Sequence, residues 1–313
     1  DTMQKLMPKR VEKTFQGFNV MAKSTLKKSL GKKLILTDGA MGSLLVDKGY
    51  TRHADMYLLN VERPRMIRAI HSRYIKAGSG IIHTHTFAAN YYQLKCSGIE
   101  SKFSVINRHA VSNARMAAGG SALVAGNVGP SGLPAKKGGL LTEIGSGRHT
   151  THYLRQIQIL VSEGVDLIAI ETMTNLAEIE SVLEALDKSD VSGCPVVFSV
   201  SPLSDGRLAD GTCLTEWADL LGKSGIAVVG LNCMEGPASM AGLISGLIAG
   251  TGLPLSIKPN AGIPLKKGKK WIYSVDSSAF CRQIAGFVKT PVVLVGGCCG
   301  TTPAYIGRMK RFF

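Results

Sequence analysis

The sequence predicts a (β/α)8 barrel, and three observations carry that reading. Short apolar runs of strand type recur eight times after residue 33. The seven intervals between them carry helical patterns, and strand–helix alternation implies a parallel sheet. Polar clusters follow the runs at their C-terminal ends, where barrels of this kind build their sites. Eight such units in about 280 residues fit a closed barrel better than an open sheet.

Taken in order, the first run is Leu34–Leu36, ending in Thr37-Asp38-Gly39-Ala40-Met41-Gly42. Residues 63–77 read as a helix. Ile81–Ile82 opens a strand expected to continue through His83-Thr84-His85-Thr86-Phe87. Residues 100–118 are helical in pattern, and Ala122–Val124 runs into Gly126-Asn127-Val128-Gly129-Pro130. The glycine-rich segment 131–148 is either a loop over the site or a plain connection. An amphipathic helix over 149–163 precedes the strand Val165–Ile170, which ends in Glu171-Thr172. Leu176–Leu186 has apolar residues at helical spacing. Pro195–Val200 is a strand, Trp217–Leu221 lies on a helix, and Ile226–Leu231 is a strand ending at Asn232-Cys233. A helix near 238–249, the strand Pro254–Lys258 and a helix near 276–289 follow. The last strand, Val292–Val295, runs into Gly296-Gly297-Cys298-Cys299-Gly300.

Composition narrows the function classes. At 313 residues, with 45% hydrophobic residues and 36 glycines, the chain suits a folded α/β enzyme with many tight turns. No apolar run approaches the roughly 20 residues of a membrane span, and no secretory signal is present. Seven cysteines without a disulfide spacing fit a reduced, cytoplasmic compartment. The net charge of +15 is uneven: residues 1–33 hold nine basic side chains against Asp1 and Glu12. The expected organisation is a basic N-terminal arm or leader, 1–33, followed by a barrel, 34–313. A basic arm suits nucleic acid, an anionic membrane or an acidic protein surface, and equally a solvated leader.

The cysteines carry the chemistry. Neighbouring residues in a strand point to opposite faces. Cys298 and Cys299 can converge only where the backbone leaves strand geometry, which the flanking glycines permit. The pair alone is compatible with a soft-metal site, zinc first, or with two small buried thiols. Cys233 stands at the end of another buried strand. Three cysteines at strand ends make a three-thiolate site that leaves one zinc position open, the mark of catalytic zinc.

Asp38-Gly39-Ala40-Met41-Gly42, Thr84-His85-Thr86-Phe87, Glu171-Thr172, Gly230-Leu231-Asn232-Cys233, Pro259-Asn260-Ala261-Gly262 and Gly296-Gly297-Cys298-Cys299-Gly300-Thr301-Thr302-Pro303 occur in this order. Together they resemble the homocysteine S-methyltransferase family over about 34–306. That family includes the homocysteine-binding module of cobalamin-dependent methionine synthase and betaine–homocysteine methyltransferase. The resemblance implies a barrel whose Cys233, Cys298 and Cys299 hold zinc, and methyl transfer to the thiolate of homocysteine to give methionine. It implies that Asp38 and the backbone of Gly39 and Ala40 grip homocysteine, that Glu171 holds its ammonium, and that Thr84 lies near its carboxylate. Asn232 falls in the substrate-binding motif, and Asn260 matches an asparagine that fills the fourth zinc position before substrate arrives.

The methyl donor implied is a methyl-corrinoid on a separate protein or module. Betaine enzymes have an aromatic residue where this chain has Ala88, which favours a site of the methionine-synthase kind. A small onium donor, S-methylmethionine or betaine, is the alternative. Trp217 and Trp271 are not at expected strand ends, which leaves few rings to cage a cation. His83 and His85 alternate with threonines and should share one face, either contacting donor or metal or serving as hydrogen-bonded barrel residues. Two rival classes fit poorly. A nucleic-acid-binding barrel lacks zinc-finger spacing and an aromatic-interleaved basic stripe. For a zinc hydrolase no carboxylate–histidine base pair is evident in the sequence, and three thiolates make a weak Lewis acid.

Overall fold

The computed structural model describes residues 34–132, 146–191, 193–267, 270–288 and 291–313. The basic arm and most of the segment 131–148 lie outside the described residues. The chain order is β1 (Ile35–Leu36), α1 (Gly42–Val46), α2 (His53–Glu62), α3 (Pro64–Ala77), β2 (Ile81–His83), α4 (Tyr91–Cys96), α5 (Phe103–Ala118) and β3 (Leu123–Val128). It continues with α6 (Ser146–Ser162), β4 (Leu167–Met173), α7 (Leu176–Lys188), β5 (Val196–Val200), α8 (Leu214–Lys223), β6 (Val228–Asn232), α9 (Pro237–Thr251) and β7 (Leu255–Lys258). The hairpin strands β8 (Pro264–Lys267) and β9 (Lys270–Tyr273), then α10 (Ser277–Ala285), β10 (Val292–Val295) and α11 (Pro303–Phe312), complete it.

Eight strands form one sheet in the order β1-β10-β7-β6-β5-β4-β3-β2, every pairing parallel. A parallel bridge between Thr37 and Ile81 joins its two ends. The expected (β/α)8 barrel is therefore present, with its eight strands where the apolar runs stand. The helices bury their apolar stripes against the outer face of the sheet in one large cluster that includes Phe198, Trp217 and Phe280.

Besides the short helices α1 and α4, which the sequence did not announce, the differences that bear on the site are these. The second strand stops at His83 instead of reaching Phe87. The Thr86 N–H donates to the Thr84 carbonyl at 2.8 Å, a tight turn that ends the extended run. The helix α2 has no counterpart in the sequence reading, because Asp55 and the buried Asn60 interrupt its apolar pattern. The hairpin β8–β9 follows β7 on the site side of the barrel. All four residues of β8 are exposed, so no period-2 alternation announces it.

Candidate active site

Side chains alternate along each strand, so the barrel interior is read by counting in twos. Its lower layers are apolar: Ile81, Leu123, Ala125, Leu167, Ala169, Val197, Val228 and Leu294 cluster together. Two residues on from the last of these in β2, β3 and β4 stand His83, Asn127 and Glu171. The C-terminal ends of β6 and β7 add Asn232 and Lys258. The apolar plug thus ends in a polar layer at the C-terminal ends of the strands.

That layer holds the Lys258–Glu171 ion pair, linked through His83 to the Asp38 carboxylate. The Asp38 carboxylate accepts from the His83 backbone N–H at 2.8 Å and lies 2.6 Å from His83 Nδ1. Lys258 Nζ donates to Glu171 Oε1 at 2.5 Å and sits 3.2 Å from His83 Nε2. Burial alone would raise the Asp38 pKa, but His83 and Lys258 outweigh it and hold the carboxyl below its usual range. Burial likewise opposes ionisation of Glu171, and Lys258 followed by His83 reverses that. Desolvation works against the Lys258 ammonium, yet Glu171 and Asp38 raise its pKa above the ordinary value. All three groups are charged at neutral pH.

Above this layer the three cysteines meet. Cys233 Sγ and Cys299 Sγ are 3.9 Å apart, and all three sulfurs lie within 4.8 Å of one another. Sulfurs on a tetrahedron of zinc–sulfur bonds of about 2.3 Å are separated by about 3.8 Å, so these residues fit a zinc ion with small closure. The backbone arranges the convergence. Cys233 has φ +58°, a left-handed turn immediately after β6. A Cβ on Gly296 would stand 1.9 Å from Thr37 Oγ1, so only glycine lets β10 pass this close to β1. Gly300 has φ +78°, and a Cβ there would enter the Tyr273 ring. The Cys298 N–H donates to the Pro259 carbonyl, and the Ala261 N–H donates to the Cys299 carbonyl. Hydrogen bonds from Cys233 and Cys298 lower the Cys299 pKa, whereas the bonds to Cys233 and Cys299, then burial, raise that of Cys298.

The other residues singled out by sequence fall around this centre. Asn260 joins the two cysteine loops: its Nδ2 donates to the Cys233 carbonyl at 3.2 Å and its Oδ1 accepts from the Cys299 N–H at 3.0 Å. The Asn232 amide is engaged with Thr172, accepting from its N–H at 2.9 Å and donating to its hydroxyl at 2.7 Å. Thr172 is itself left-handed, with φ +66°, a conformation that a β-branched residue adopts only under constraint. Thr84 Oγ1 accepts from the Asn127 N–H and lies 2.7 Å from Thr86 Oγ1. The Ala40 N–H donates to the Thr301 carbonyl, and the Gly297 N–H to the Asp38 carbonyl, which locks the Asp38-Gly39-Ala40 turn against the cysteine loop.

His83 and His85 do not share a face, because the strand ends between them. His85 turns outward, stacks on Tyr57 and places Nε2 3.0 Å from the Met56 carbonyl. Burial lowers its pKa to about 4. Three further residues escape a reading of the sequence. Lys258 stands there only as the end of a strand. Tyr74, whose hydroxyl lies 2.9 Å from the carbonyls of both Ala40 and Thr301, sits in a helix with no motif. Tyr273 arrives on the unexpected hairpin, with its hydroxyl 3.3 Å from Ser43 Oγ.

A (β/α)8 barrel whose mouth gathers three cysteine sulfurs above a buried charged layer defines the class: a barrel enzyme with its site at the C-terminal ends of the strands. The chain belongs to the homocysteine S-methyltransferase family, whose model matches residues 35–313. It is 29% identical over 303 residues to the homocysteine S-methyltransferase of Escherichia coli, covering 88% of this chain and 94% of that one. It is 28% identical over 303 residues to the methionine synthase of Mycobacterium leprae, but that match spans 24% of the relative's length. The metallated crystal form of the E. coli homocysteine methyltransferase MmuM superposes with a TM-score of 0.77 at 28% identity, covering 91% of this chain and 99% of that one.

Proposed function

We propose that the chain transfers a methyl group to the thiol of homocysteine, forming methionine, with zinc held by Cys233, Cys298 and Cys299. The observation that carries the reading is the convergence of three sulfurs directly above the Asp38–His83–Lys258–Glu171 layer. A zinc ion bound by these thiolates supplies ionisation of a further sulfur ligand at neutral pH, where a free thiol of pKa near ~8.5 is mostly protonated. The protein's own residues do the rest. Glu171 and Asp38, both ionised and buried, receive the substrate ammonium by charge-assisted hydrogen bonds. Asn260 keeps the two cysteine loops in register, and the apolar plug below excludes water from the floor. No side-chain base is required once the acceptor sulfur is ionised.

The donor in this reading is a methyl-corrinoid on another protein or module, acting in the cytoplasm. Ala88 supports it, being buried among Tyr57, Leu94 and Phe103 and presenting no ring to the mouth. One observation favours a small onium donor instead. The hairpin brings the Tyr273 ring against Gly300 of the cysteine loop, and the same strand carries Trp271, 45% exposed, so an aromatic ring stands at the centre after all. In either case residues 34–313 are the catalytic unit and 1–33 a basic arm or leader. The test is methionine formation from homocysteine by zinc-loaded protein, with methylcobalamin, S-methylmethionine and betaine in parallel. Turnover with methylcobalamin alone supports the first donor, turnover with an onium compound selects the second, and no turnover with any of them sinks the acceptor assignment.

A further inference from the structure

Among the buried residues described, Lys258 is the one lysine or arginine, and it is 5% exposed. An ion pair in such a place roughly breaks even against apolar replacement, so stability alone does not explain it. Its position does. Lys258 stands in the polar layer beside the two carboxylates that would take an ammonium, and its own ammonium already occupies Glu171. An α-amino acid is a zwitterion and needs both an anion for its ammonium and a donor for its carboxylate. The layer has acceptors to spare: the carboxylates, and Asn127 Oδ1, which is buried without a partner. Its side-chain donors are scarcer, and besides the neutral Asn127 Nδ2 and the His83 ring, which Asp38 engages, Lys258 is the cationic one. The Thr84 hydroxyl is held between Asn127 and Thr86, and the Asn232 amide is engaged with Thr172.

We propose that Lys258 is a specificity-determining residue that receives the substrate α-carboxylate. The inference rests on homocysteine being the acceptor. In the free protein Lys258 and Glu171 satisfy each other. The zwitterion inserts between them, its ammonium to Glu171 and Asp38 and its carboxylate to Lys258 Nζ. One ion pair becomes two, and the net charge of the layer does not change. An amine lacking the carboxylate must compete with Lys258 for Glu171 and offers it nothing in return.

The test is calorimetric binding of homocysteine and of 3-aminopropane-1-thiol, its counterpart without the carboxylate. Both are titrated into zinc-loaded wild type, Lys258→Met and Lys258→Arg, with zinc content and melting temperature checked for each. Wild type is expected to prefer homocysteine by roughly 10- to 100-fold, the strength of one hydrogen bond to a charged group. Lys258→Met is expected to reduce that preference to a few-fold, by weakening homocysteine while leaving the aminothiol unchanged or tighter. Lys258→Arg, which keeps the charge, should retain most of the preference and guards against misfolding of the Met variant. Equal weakening of both ligands in Lys258→Met, at unchanged zinc content, would overturn the inference and leave Lys258 a mere support for Glu171. Failure of wild type to bind homocysteine overturns the acceptor assignment, and this inference with it.

Discussion

The two ends of the barrel interior are built from the same eight strands and obey opposite rules. The lower end is an apolar plug of Ile81, Leu123, Leu167, Val197 and Leu294. The upper end buries Asp38, Glu171 and Lys258, holds three thiols together and keeps two non-glycine residues, Thr172 and Cys233, at positive φ. Each of those features is neutral or unfavourable for folding taken alone. The difference teaches that this chain concentrates its strain and charge at one end and relies on the other for stability.

The comparison would be broken most visibly at the cysteines. Cys298→Ser should lower turnover by roughly 100- to 1,000-fold, the several kcal/mol that a metal centre contributes, and lower zinc content with it. Its melting temperature without metal should stay near that of wild type. A large loss of stability in the metal-free variant would mean the thiols are core residues first.

The charged layer sharpens the comparison. Glu171→Gln leaves the Lys258 ammonium buried without its carboxylate and should destabilise by about 3–5 kcal/mol. Adding Lys258→Met to it should recover most of that loss in urea unfolding, because the pair itself contributes little net stability. At the other end, Leu167→Ala should destabilise by roughly 2–5 kcal/mol, with kcat/KM of the folded protein close to wild type. A collapse of kcat/KM there would show that the plug shapes the site.

Acid probes the boundary between the two ends. His71 and His85 are buried, and burial lowers each pKa to about 4. Neither ring nitrogen of His71 has a hydrogen-bond partner. In the unfolded chain both histidines protonate near pH ~6.5, so between there and about pH 4 the unfolded state holds more protons. Stability should therefore be full above ~6.5 and fall as pH drops, by at most about 1.4 kcal/mol per pH unit for each histidine. His71→Leu should lessen the slope measured by urea titration between about pH 6.5 and 4.5, and an unchanged slope would assign the acid loss elsewhere. The smallest effect is expected at Thr172→Gly, where relief of the left-handed strain should offset part of the cost of losing the hydroxyl that accepts from Asn232 and of the greater freedom of the unfolded glycine, leaving a net destabilisation of about 1–2 kcal/mol by urea unfolding.

Much of the fold was legible because its signals are local. The strand runs, the helical spacing over 100–118 and 176–186, and the glycines around Cys298 each declare themselves within two dozen residues. The hairpin β8–β9 was not legible, because the exposed β8, Pro264–Lys267, lacks the alternation that marks a strand. The divergence of His83 and His85 was hidden for a related reason: alternation predicts a shared face only while the strand lasts, and it ends at His83.

By itself the sequence determined the alternation of strands and helices, hence the barrel, and it marked Asp38, Glu171, Cys233, Cys298 and Cys299 as residues at strand ends. Only the tertiary structure decided the partners. Glu171 meets Lys258 across 87 positions of chain, and Asp38 meets His83 across 45. Periodicity places a side chain on a face, but the closing of the sheet through β1, β10 and β2 decides which faces meet, and with them which buried charge answers which.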